Sequence, residues 1–106
     1  MNTWLLLASA ILCEVTASLS LKRALDHPAL YSVVALGYVA AFVLLTFTLK
    51  QGLGIGVAYG IWAACGVALT AVASKLIFDE PLTSVMVIGI VLIIGGVLLV
   101  EIGASH

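Results

Sequence analysis

Hydrophobic positions along this chain fall into four long runs, each near the roughly 20 residues that cross a lipid hydrocarbon core as a helix. The runs cover 3–21, 29–49, 55–78 and 84–102. What separates them is short and polar. Lys22-Arg23 closes the first, Lys50-Gln51-Gly52 the second, and Asp79-Glu80-Pro81 the third, where two acids and a proline stop a helix. Thr83 or Ser84 is placed to cap the fourth. Backbone amides inside a bilayer must bond within their own segment, which calls for helices, and connections this short make neighbours antiparallel. The expected fold is an all-α membrane protein: a single four-helix transmembrane domain over 1–106, arranged up and down.

Composition strengthens that reading and removes others. Of 106 residues, 64% are hydrophobic and 8% charged, with a mean hydropathy of +1.34, so polar side chains are too few to cover the core of a soluble domain. A net charge of -1 and a pI near 6.0 supply no basic stripe for nucleic acid. Ala8-Ser9-Ala10 has the small-x-small look of a signal cleavage site. It lacks a basic segment before it, and the apolar run from Trp4 to Leu7 is too short, so the first helix is expected to stay attached. Cys13 and Cys65 lie in apolar runs without metal or redox spacing and read as small packing residues. His27 and His106, in a loop and at the terminus, read as solvated.

Four crossings would place both termini and the Lys50 loop on one side, with Lys22, Arg23 and Lys75 toward the other. Lys75, about a turn inside the third run, is expected to snorkel. Three basic residues against one plus the terminal amine favour termini outside, and leave insertion in both orientations open.

One charge has no ordinary home. Asp26, Asp79 and Glu80 fall in loops and Glu101 at a helix end, but Glu14 lies midway along the first run, where an ionised carboxylate costs several kcal/mol. An acid so placed points to function; the plainer alternative is a protonated Glu bonded to a neighbouring helix. On a helical period Glu14 shares a face with Leu7, Ala10, Ile11, Ala17, Ser18 and Leu21, a face that admits either a ligand or another helix. Burial disfavours the charged form, so a proton leaves readily only when another cation takes its place.

The third run adds Tyr59, Trp62, Ala63 and Gly66 at i, i+3, i+4 and i+7. Aromatic faces suit a lipophilic cation, and ordinary helix packing is the competing explanation. Tyr38 and Phe42 form a weaker i, i+4 pair in the second run, equally consistent with lipid contact. The fourth run carries no charge from Val85 to Val100 and places Gly89 and Gly96 seven apart, small residues that let another helix approach closely.

With these residues in view, the sequence resembles the small multidrug resistance family over nearly its whole length. The resemblance rests on Glu14-Val15 closing with Leu21-Lys22, on Val57-Ala58-Tyr59-Gly60-Ile61-Trp62, on Pro81-Leu82, and on the glycine pair of the fourth helix. It implies an antiparallel dimer held by helix four, with two copies of Glu14 sharing one site that binds either protons or a cationic substrate. It also implies that Tyr59 and Trp62 line this site, that Tyr38 and Phe42 shape it, and that Ser18 is a nearby polar contact.

Where guanidinium exporters of the family carry Trp three residues after the glutamate, this chain has Ala17, which points to the quaternary-ammonium branch. Ala63 stands where a small polar residue usually follows the Trp, Ala64-Cys65-Gly66 replaces a Gly-x-Gly kink, and Leu25-Asp26-His27-Pro28 replaces the usual first loop. Some family members work as one half of a heterodimer, so a related second chain is an alternative partner.

The function expected is a multi-pass, proton-coupled antiporter of the inner (plasma) membrane, exporting lipophilic or quaternary-ammonium cations. Its expected partners are a cationic small molecule, protons, lipids and a second copy. A guanidinium exporter is the alternative within the family. Outside it stand a proton-carrying proteolipid ring subunit, which needs no aromatic box, and a non-transporting assembly subunit, for which Glu14 would tolerate Gln. No Ser/His/Asp grouping, metal-ligand set or phosphate-cradling loop is present in the sequence, so neither enzyme chemistry nor a cofactor is expected.

Overall fold

The computed structural model describes residues 2–104; His106 lies outside them. Four helices form in the order expected: α1 (Thr3–Ala24), α2 (Tyr31–Lys50), α3 (Ile55–Phe78) and α4 (Ser84–Ala104), with one 3-10 turn at Pro28–Leu30 leading into α2. Each is long and apolar enough to cross a membrane. The described residues contain no strand.

Helix ends follow local chemistry. Asn2 caps α1 by accepting from the Trp4 amide at 2.8 Å. α1 runs past the basic pair that the sequence suggested as its stop, and Lys22 and Arg23 occupy its last turn, where cations favour the carbonyl end of the helix. Gln51 caps α2, and Gly52 follows at φ +101, a left-handed conformation that glycine adopts without a Cβ penalty. At the end of α3, Asp79 takes a left-handed φ of 56 and the amides of Asp79 and Glu80 both close back on the Ser74 carbonyl, which ends the helix. Thr83 opens α4: its Oγ1 accepts from the Met86 amide at 3.2 Å.

The chain divides into two compact units, each a helix pair. In the first, residues 1–53, α1 packs along α2. Among its buried residues, α1 contributes Leu6, Leu7, Ala10, Ile11 and Ala17, and α2 contributes Val34, Ala41 and Thr48. Lipid tails are as apolar as leucine, so close packing rather than water exclusion must hold such a pair together. A close approach lies at Gly37, where a Cβ would stand 2.8 Å from Ala17 Cβ and 3.2 Å from the Cys13 carbonyl oxygen. Thr3 Oγ1 donates to Gln51 Oε1 at 2.9 Å, tying the two ends of the pair.

In the second unit, residues 54–106, α3 packs on α4. The α-hydrogen face of Gly60 meets Val97, whose methyls lie 3.6 and 3.7 Å from where a Cβ would be. Beside this contact runs an open apolar groove of about 490 Å³, whose lining includes Cys65, Leu69, Ile94, Leu98 and Glu101. No described residue of α4 is buried, and the space around Gly89 and Gly96 is open to 4 Å.

Candidate functional site

Hydroxyl groups in an apolar helix ordinarily satisfy themselves on their own backbone, because no water is at hand. Ser9 donates to the Leu5 carbonyl at 2.7 Å, Thr46 to Phe42 at 2.9 Å and Thr48 to Leu44 at 2.9 Å. Ser18 departs from this pattern. Its Oγ donates to Glu14 Oε1 at 2.9 Å, one helical turn back, and lies 2.8 Å from the Tyr38 hydroxyl on α2. A serine hydroxyl carries a single proton; with that proton given to the carboxylate, Ser18 Oγ receives one from Tyr38. The order is therefore Tyr38 to Ser18 to Glu14, with the carboxylate as terminal acceptor.

All three side chains are half-buried. Leu7, Ala10, Ile11 and Ala17, the neighbours of Glu14 on its helical face, are buried, while Leu21 at the far end of the face is exposed. The choice left open by the sequence, ligand or helix, is thus divided: small and aliphatic positions meet protein, and the carboxylate stays partly open. Glu14 finds its partner on its own helix, not as a direct bond to α2.

The other candidates are placed as follows. Phe42, one turn beyond Tyr38, is 58% exposed. Tyr59, Trp62 and Ala63 belong to α3 in the second unit. Tyr59 and Ala63 are exposed, whereas Trp62 and Gly66 are buried, so the stripe read as one face straddles the boundary between covered and open surface. The reason is angular: i and i+4 lie about 40° apart, while i+3 and i+7 fall on the other side of i. Cys13 is half-buried beside Gly37, and Cys65 is exposed and lines the α3–α4 groove; both are free thiols.

Gly37 carries no chemistry that marks it in the sequence. Its signal is its place immediately before the tyrosine of a hydrophobic helix, and only the partner Ala17 on α1 gives that meaning.

Comparison with known proteins bears on what such a site serves. The family model described as Small Multidrug Resistance protein matches residues 2–93. Multidrug resistance protein EbrB of Bacillus licheniformis is 42% identical over 103 residues, covering 95% of this chain and 86% of that protein. Multidrug resistance protein mmr of Mycolicibacterium paratuberculosis is 36% identical over 106 residues, covering 98% of this chain and 99% of that protein.

Proposed function

Because this chain belongs to the Small Multidrug Resistance protein family, a family of membrane transporters and not of enzymes, we propose that it exports lipophilic, quaternary-ammonium-type cations across the cell membrane in exchange for protons. The observation that carries this reading is the half-buried Glu14 carboxylate within a membrane-spanning helix, which among the described residues accepts a side-chain hydrogen bond from Ser18 on one of its oxygens. That leaves acceptor capacity for a proton or for an organic cation. One carboxylate cannot hold both, and competition for it couples inward proton movement to outward solute movement.

Tyr59, Trp62, Tyr38 and Phe42 serve as aromatic surfaces for the cation, whose attraction to a ring face strengthens where water is excluded. Ser18 is the polar contact of the carboxylate, and Ala63 borders the aromatic pair. Ala17 supports the quaternary-ammonium branch: it is fully buried against Gly37 of α2, where a tryptophan has no room. The working unit is an antiparallel dimer built through α4 at Gly89 and Gly96, and α4, without buried residues and open at both glycines, offers the surface for it. The four helices act as one transmembrane domain within each protomer.

Equilibrium binding of tetraphenylphosphonium to the detergent-solubilised protein tests the exchange. Wild type is expected to bind more tightly as pH rises, and Glu14→Gln to lose binding. Retained, pH-independent binding by Glu14→Gln would sink the proposal. Proton flux in liposomes holding this chain alone, driven by guanidinium or by quaternary ammonium compounds, separates the branches and shows whether a second chain is required.

A further inference from the structure

The hydrogen bond between Ser18 and Tyr38 joins two helices, so its length depends on how closely they approach. A close contact between the two backbones lies directly beside it. Gly37 and Ala17 directly precede Tyr38 and Ser18 in the chain, and a Cβ on Gly37 would lie 2.8 Å from Ala17 Cβ, a separation that real Cβ atoms do not show. Neither group can turn away, since an alanine methyl has no rotamer to change. Relief to ordinary contact requires the backbones to part by about 0.6 Å, which would carry a 2.8 Å hydroxyl pair toward the limit of hydrogen bonding.

We infer that Gly37 and Ala17 form a positioning pair: the absent side chain at 37 lets α2 come close enough for Tyr38 to bond Ser18, and thereby fixes Ser18 as the donor to Glu14. The inference deepens the exchange reading above and rests on it for the consequence in cation binding, though not for the geometry. Ser18 stands alone among Ser9, Thr46 and Thr48 in leaving its own backbone, and Tyr38 is what holds it there. Without Tyr38 the serine hydroxyl is free to turn to a carbonyl of the preceding turn, as the other three do. The carboxylate then loses its donor even though no residue touching it has changed.

The pair makes a sharper demand than tight packing would. What matters is one Cβ at the crossing, not which helix carries it. The doubly substituted Ala17→Gly/Gly37→Ala protein keeps a single methyl between the helices, with only the Cys13 carbonyl, 3.2 Å from the new carbon, needing to yield by a few tenths of an ångström. It should restore what Gly37→Ala removes.

Two readouts test this in the purified, full-length protein. One is the infrared band of the Glu14 carboxyl, identified by its loss in Glu14→Gln and sensitive to hydrogen bonding at that oxygen. The other is tetraphenylphosphonium affinity. Gly37→Ala and Tyr38→Phe are each expected to shift the band in the same sense and to weaken binding roughly three- to tenfold, the scale of one lost hydrogen bond, and the double variant to return both to wild type. An unshifted band in Tyr38→Phe, or a double variant that stays like Gly37→Ala, overturns the inference. Tyr38→Phe keeps the test decisive should Gly37→Ala not accumulate, because it leaves the crossing intact. If Glu14→Gln binds the cation as wild type does while the bands behave as expected, the exchange reading falls and the positioning pair stands.

Discussion

Ser18 and Asp79 show how much a single side chain can depend on where its neighbours lie. Ser18 is one turn from Glu14 in sequence, so their bond is local, yet the serine's second partner is twenty residues away on α2. Ser18→Ala should therefore remove the carboxylate's donor without opening the helix pair. We expect tetraphenylphosphonium binding roughly three- to tenfold weaker and unfolding stability lowered by about 1–2 kcal/mol, since both hydrogen bonds of Ser18 are lost while alanine favours the helix. Equilibrium binding and thermal unfolding in one detergent check both. Asp79 has no part in the site, but its left-handed backbone ends α3. Asp79→Gly should match or exceed wild-type stability, while Asp79→Val, β-branched at a positive φ, should cost about 1–2 kcal/mol. The reverse order in thermal unfolding would refute the cap.

At the scale of elements, the four spans were legible because roughly 20 apolar residues between charged punctuation admit one structure in a bilayer. The ends were less so. Lys22 and Arg23 suggest a stop, yet α1 continues through Ala24, because a basic pair in a last turn suits the helix and side chains this long can extend from there to an interface. The second helix is preceded by a 3-10 turn at Pro28–Leu30, where proline sits at the start and the next helix begins only at Tyr31. The choice between Thr83 and Ser84 as cap falls to Thr83. Thr83→Ala should destabilise α4 by about 1 kcal/mol and speed hydrogen exchange at the Met86 amide before that of the helix centre. Uniform exchange along α4 in the variant would count against it.

At the scale of the whole molecule, the two helix pairs differ in what they leave uncovered. α1 and α2 bury small and aliphatic residues at a close crossing, while α4 presents no buried residue and an open glycine surface. In lipid, such a surface gains by packing against another helix and gains nothing from hydrophobicity alone. The proposed dimer thus predicts that Gly89→Leu with Gly96→Leu yields a monomer by sedimentation in detergent, with helical circular dichroism unchanged and transport lost. A dimer that survives both substitutions would move the interface elsewhere.

The sequence by itself determined the helices, the membrane, the family and the conspicuous acid, because these follow from periodicity, length, composition and motif, all written along one dimension. Glu14 could be singled out since its cost in hydrocarbon is a property of its place in a run. That the serine beside that carboxylate also meets Tyr38 on α2 was decided only by tertiary structure. So was the splitting of the Tyr59–Trp62 stripe between open and covered surface, and so was the importance of Gly37. A glycine has no chemistry to read; its meaning is the space it leaves, and that space has a value only once Ala17 is brought against it.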